Sequence, residues 1–176
     1  NNDKVGLILF SDQIELFIPP KKGRQHILRI LRELINAAPK GKKTRLGDSL
    51  QFFNNVIKKR SIGFILSDFW DEQYDLPLRI LGNKHDLIGI HLYDPKEEYL
   101  PDLGFIQMYN TETGDLAWVD TSSQSIRQDY HQRFESHMMK TKEIFNKSAS
   151  DLIQVRTDQS YIEALMAFFK KRAKAI

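Results

Sequence analysis

Between Ser61 and Asp71 the chain reads SIGFILSDFWD, a continuous apolar run from Ile62 to Leu66 that stops abruptly at Ser67 and Asp68. A run this short and this apolar, with helix-patterned segments on either side, predicts a strand buried on both faces of a parallel sheet. Few architectures provide such a strand, and the open α/β sheets are foremost among them. In those sheets ligands bind just beyond the carboxyl ends of the strands, which makes Asp68 the first candidate for chemistry. The plain alternative is a carboxylate that caps the loop after the strand, because Asp is common in turns.

The flanking segments agree with this frame. Val5 to Phe10 is a second apolar strand, Ser11-Asp12-Gln13 is a turn, and the run from Ile14 to Ile18 ends at Pro19-Pro20, so the pair predicts an antiparallel hairpin. Ile27, Leu28, Ile30, Leu31, Leu34 and Ile35 then recur at helical spacing up to the break at Pro39-Lys40-Gly41. A second helix carries Leu46, Leu50, Phe53, Val56 and Ile57 and closes on Lys58-Lys59-Arg60, cations that suit the negative end of a helix dipole.

After the central strand come a short helix around Leu76 to Leu81 and a second buried strand, Asp86 to Tyr93, which together predict a parallel strand-helix-strand unit. Phe105 to Tyr109 and Leu116 to Asp120, around a turn at Asn110 to Gly114, predict a hairpin laid on a sheet edge. A long helix follows with the stripe Ile126, Tyr130, Phe134, Met138, Thr141 and Phe145. A last strand at Leu152 to Val155 leads to a closing helix expected to turn Ile162, Leu165, Met166 and Phe169 inward. The expected fold is α/β, a doubly wound and mostly parallel sheet with flanking helices and an added hairpin, in one domain over residues 1–176.

Composition removes several classes of function. The chain has no cysteine, which excludes disulfides, thiolate metal sites and a cysteine nucleophile. Its net charge of +3 is small, and its lysines and arginines are scattered rather than arranged in a stripe with stacking aromatics, so nucleic acid is not an expected partner. No apolar run approaches the ~18 residues of a membrane span, and the lack of an export signal favours the cytoplasm. Gly47-Asp48-Ser49-Leu50 spells an esterase motif, but it lies inside an amphipathic helix rather than after a strand, and no Asp-x-x-His follows to supply a base. His131 and His137 stand six apart, the wrong spacing for two ligands on one helix face, and the other three histidines stand alone; all five are read as surface or packing residues. No glycine-rich phosphate loop follows any strand.

Taken together, VGLILFSDQIELFIPPKKGRQHILRILREL, KTRLGDSLQFF, RSIGFILSDFWDE, HDLIGIHLYDPKEEYLPDLG and ETGDLAWVDTSS resemble the bacterial family catalogued as domain of unknown function 58, whose members are von Willebrand factor A-like. The resemblance runs from Asp3 to about Arg172. It implies a doubly wound α/β fold and a metal-ion-dependent adhesion site, in which a divalent cation at the carboxyl edge of the sheet is completed by a partner's carboxylate. Carried over, Thr44 in KTRLGDSL resembles the threonine ligand and Asp68 in ILSDFWD the aspartate that holds the ion directly or through water. Magnesium, with its demand for about six oxygens, suits such donors. Asp71 and Asp94 also lie near strand ends but are not assigned to the ion.

The family's Asp-x-Ser-x-Ser motif, which ends its first strand and supplies most of the direct ligands, does not occur here. The chain is therefore expected to lack that first strand and its helix, and to bind magnesium more weakly than roughly millimolar, if at all. The missing strand would lie between the counterparts of Val5 to Phe10 and Ser61 to Ser67. The gap is expected to be filled by direct pairing of those two strands or by a second chain. The resemblance further implies a protein-protein interaction module, not an enzyme, with a MoxR-type AAA+ ATPase as partner. The reading from another class is a metal-dependent hydrolase using Asp68, Asp94 and Asp158 at adjacent strand ends.

Overall fold

The computed structural model of the chain describes residues 3–41, 43–109 and 114–174. In chain order the elements are β1 (Val5–Phe10), β2 (Ile14–Lys21), α1 (Arg24–Ile35), α2 (Leu46–Val56), β3 (Ile62–Ser67), α3 (Asp75–Gly82), β4 (Asp86–Tyr93), α4 (Pro95–Glu98), β5 (Phe105–Tyr109), β6 (Leu116–Asp120), α5 (Gln124–Lys147), β7 (Asp151–Arg156) and α6 (Tyr161–Lys174). They gather into two compact units, Asn1–Lys58 with Asp71–Pro77, and Lys59–Trp70 with Leu78–Ile176. Among the described residues no helix is long and apolar enough to cross a membrane.

In the first unit β1 and β2 form the expected antiparallel hairpin, with Leu7 opposite Ile18 and Leu9 opposite Leu16. The second strand runs on through Pro19 and Pro20 to Lys21, which an edge strand tolerates because no ladder bond is asked of the missing N–H groups. Helix α1 departs from its expected orientation. Of its apolar stripe only Ile30 is buried, while Ile27, Leu28, Leu31, Leu34 and Ile35 are exposed. Helix α2 buries Leu46, Gly47, Ser49 and Leu50, and Phe52 meets Phe17 of the hairpin edge-on at 5.4 Å. Gly47 is required where it stands, since a Cβ there would fall 2.4 Å from the Gln73 carbonyl oxygen. Lys58-Lys59-Arg60 lies beyond the end of α2 at Val56, so it does not act as the helix's last-turn cation cluster.

The second unit is built on a parallel three-stranded sheet in the order β3-β4-β7. Ile65 pairs with Gly89, and Ile90 with Ile153. On one face Ile88, Ile153 and Val155 pack with Ala164, Leu165 and Phe168 of α6. On the other, α5 comes so close to β4 that a Cβ on Gly89 would lie 2.4 Å from the Phe145 ring. The stripe of α5 is inward as expected at Phe134, Met138, Thr141 and Phe145. In α6 the inward face is rotated from the expected one: Ala164, Leu165 and Phe168 pack on the sheet, and Ile162, Met166 and Phe169 are exposed.

The strand that anchors the sequence reading differs most from expectation. Among the described residues β3 bonds only β4, and it alternates, with Gly63 and Ile65 buried but Ile62, Phe64 and Leu66 exposed at 62%, 49% and 56%. It is an edge strand covered on one face. β1 likewise bonds only β2, so among the described residues the expected direct pairing of these two strands is not made. The β5–β6 hairpin is also a sheet of its own rather than an addition to the parallel sheet's edge; its turn at 110–113 lies outside the described residues.

Candidate binding site at the strand ends

At the carboxyl end of β3 the Ser67 hydroxyl accepts from the Phe69 amide at 3.0 Å and donates to Asp68 Oδ1 at 3.3 Å. The Trp70 amide reaches the same oxygen at 3.4 Å. These are long bonds to an exposed carboxylate, so Asp68 keeps most of its capacity for a further donor or cation. Phe69 has φ 57°, the left-handed region that a bulky side chain occupies only when its surroundings hold it there. Its ring is 1% exposed and set edge-on to Phe145 at 5.1 Å, which supplies that hold. The turn leaves both Asp68 and Trp70 exposed.

Two histidines stand behind this turn. His137 of α5 places Nε2 3.0 Å from the Asp68 carbonyl oxygen, which makes Nε2 the protonated nitrogen because a carbonyl can only accept. Its ring stacks on Trp70 at 3.8 Å and an interplanar angle of 7°. His91 of β4 is fully buried, 6.0 Å from the Phe69 ring and 5.3 Å from Tyr93, and neither of its ring nitrogens makes a hydrogen bond of good geometry. Burial first, and then the neighbouring His137, push its pKa down to about 4; the Asp68 charge and carbonyl oppose this weakly. His91 is therefore a neutral imidazole. The sequence hid this group because the two histidines are far apart in the chain and meet only through the packing of α5 on β4.

Thr44 lies in the other unit, half-buried, two residues ahead of α2. The loop leading to it is held by Glu15, whose Oε1 accepts from the Ser11 hydroxyl at 2.6 Å, the Lys40 and Gly41 amides at 3.0 Å each, and Gln13 Nε2 at 3.4 Å. The Ser11 and Gly41 bonds chiefly hold the carboxyl down at a pKa of about 2. Gly41 fits where a Cβ would strike Asp12 Oδ1, and the Arg45 amide donates to the Ser11 carbonyl at 2.9 Å. Beyond Thr44, Asp71 caps α2 from a distance in sequence, its Oδ2 accepting from the Leu46 amide at 2.6 Å and the Gly47 amide at 3.4 Å. Arg45 at the helix start offers no cap of its own. Sequence reading missed both roles, Glu15 because it sits in an alternating strand and Asp71 because its partner is 25 residues away.

The other strand-end aspartates are committed locally. Asp94 accepts from the Lys96 amide at 2.8 Å and forms a capping box with Glu97 at the start of α4. Asp158 is held in a two-pronged pair by Arg156 at 2.7 and 2.9 Å. Ser49 is buried and donates to the Leu46 carbonyl at 2.8 Å within its helix, which suits a helical packing residue and not a nucleophile. Among the described residues no three histidine or acidic side chains are grouped to hold a metal ion.

Family comparison fits the sequence segments that run through both units. The family described as "Protein of unknown function DUF58" matches residues 1–140. The chain belongs to the DUF58 family. Uncharacterized protein Mb1516 of Mycobacterium bovis and uncharacterized protein Rv1480 of Mycobacterium tuberculosis are each 22% identical to it over 175 residues, covering 98% of this chain and 55% of theirs. Uncharacterized protein MAV169 of Mycobacterium avium is 24% identical over 160 residues, 89% of this chain and 94% of its own. The chain thus spans about half the length (55%) of the first two relatives. No solved structure matches it.

Proposed function

We propose that this DUF58 chain is a protein-protein interaction module of von Willebrand A type, with Thr44 and Asp68 as the remnant of a metal-ion-dependent adhesion site and a MoxR-type AAA+ ATPase as partner. The observation that carries the reading is Asp68, an exposed carboxylate with only long local bonds at the carboxyl end of a parallel strand, where open α/β sheets bind their ligands. Family membership over residues 1–140 supports the same architecture. A hydroxyl and a carboxylate are hard oxygen donors of the kind magnesium takes, but they are two of about six, so water would fill most of the shell. Bound there, the cation would supply a positive charge for a partner's carboxylate. Asp68 would hold it. Asp94 and Asp158 are engaged by a helix start and by Arg156, which makes the hydrolase reading through three strand-end aspartates the weaker one.

Calorimetric titration of magnesium and manganese tests the metal part. This chain should bind more weakly than roughly millimolar. A form extended at the amino end should bind measurably, and Asp68→Ala should abolish that binding. Heat of binding that survives Asp68→Ala, or none in either form, would remove the adhesion site from the proposal. Co-purification with a MoxR-type ATPase, lost on Asp68→Ala, tests the partner.

A further inference from the structure

A second surface, on the β5–β6 hairpin, has a chemistry of its own. Phe105 pairs across the hairpin with Asp120, Gln107 with Trp118 and Tyr109 with Leu116, so these six side chains share one face. Phe105 and Trp118 are stacked at 5.5 Å and 8°, yet are 67% and 63% exposed, and Tyr109 and Leu116 are exposed beside them. Exposed aromatics gathered on one face mark an interaction surface more often than scattered single ones do.

The base of this hairpin is firm. Thr121, fully buried, receives the Leu103 amide on its hydroxyl at 2.9 Å and gives both its amide and its hydroxyl to the Gly104 carbonyl. Next to the ring pair the Asp120 carboxylate accepts from the Ser122 hydroxyl and, at 3.0 Å, from the Ser122 amide, bonds that keep it ionised and aimed. Arg127, the first cation downstream, is engaged by the Thr121 carbonyl and by Asp102 at 3.6 Å.

The charge of the sequence segment that carries the hairpin points the same way. From Glu97 to Ile126 the sequence holds six carboxylates (Glu97, Glu98, Asp102, Glu112, Asp115 and Asp120) and no lysine or arginine, in a chain whose net charge is +3. A segment of that charge disfavours nucleic acid and anionic lipid and favours cations. Stacked aromatic faces bind guanidinium and ammonium groups by cation–π attraction, and a fixed carboxylate alongside adds a charged hydrogen-bond acceptor. We propose that the Phe105–Trp118–Asp120 face docks an arginine- or lysine-rich segment of a partner protein. This site includes neither Thr44 nor Asp68 and does not depend on a metal.

The test is fluorescence anisotropy at physiological salt with two labelled nonapeptides, one alternating arginine with glycine and serine, the other the same peptide with glutamate in place of arginine. The arginine peptide should bind saturably, the glutamate peptide should not, and Trp118→Ala and Asp120→Asn should each weaken binding about tenfold while melting close to the parent. Phe105→Leu, which keeps the apolar bulk and loses the ring, should weaken it as well. The proposal is overturned if the arginine peptide does not bind, if the glutamate peptide binds equally, or if the variants bind like the parent. It is also overturned if the chain forms a concentration-dependent dimer that Trp118→Ala dissolves, since a second copy would then be the occupant.

Discussion

His91 and Glu15 are single residues whose titration should be readable in the stability of the protein. The folded pKa of His91 is about 4, below its ordinary 6.5. Between those values the unfolded chain takes up the proton more readily, so stability falls as pH drops from about 6.5 towards 4. Urea midpoints measured at pH 7 and pH 4.5 should show that fall, and His91→Leu should flatten it. The Glu15 carboxyl, held at about 2 instead of 4.5, contributes stability that is present above pH 4.5 and lost as pH falls towards 2; Glu15→Gln should shrink that lower step, to which Asp120, Glu143 and Asp158 also contribute, and leave the upper one. Asp71 is a third case. Asp71→Ala deprives the start of α2 of its only side-chain acceptor among those described, and should cost about 1 kcal/mol in urea unfolding. In the sequence His91 reads as one of five surface or packing histidines, Asp71 as an acid near a strand end, and Glu15 as a polar position in an alternating strand. Asp71 and His91 meet partners tens of residues away, and Glu15 ties its near neighbours Ser11 and Gln13 to the distant Lys40 and Gly41 amides.

At the scale of elements, strand periodicity was legible and strand environment was not. An apolar run reads the same whether helices cover both faces of a strand or one, and β3 is covered on one. The alternation makes a direct prediction. Ile65→Ala, on the covered face, should cost about 2 to 4 kcal/mol, whereas Phe64→Ser, on the exposed face, should change stability by no more than about 0.5 kcal/mol, both read from denaturant midpoints. Helices α1 and α6 repeat the lesson: a stripe such as Ile27, Leu28, Leu31 and Leu34 shows that a helix has an apolar side, but which residues meet a sheet depends on where that sheet lies. In α5 the stripe and the burial agree because Phe145 is wedged against Gly89. Gly89→Ala should cost about 1 to 3 kcal/mol, measured by thermal unfolding, because the ring has to move for a methyl group to fit.

Across the whole molecule, hydrogen bonding is uneven. Among the described strands only β4 is bonded on both sides, so its amides should be the slowest to exchange with deuterium, ahead of those of the one-sided β1 and β3. Equal protection in all three strands would show that the free edges are covered in solution. What the sequence determined by itself was local: the run of strands and helices, the parallel pairing implied by β3, α3 and β4, the membership of a family, and Asp68 at a strand end. These follow from short-range rules of spacing, turn chemistry and charge that need no knowledge of distant residues. The tertiary structure alone decided that β3 is an edge, that Glu15 and Asp71 hold the approach to Thr44 and α2, that His91 is buried neutral beside His137, and that Phe105 and Trp118 stack in the open beside a fixed Asp120. Each of those depends on residues far apart in sequence meeting in space, and only the folded chain specifies which of them meet.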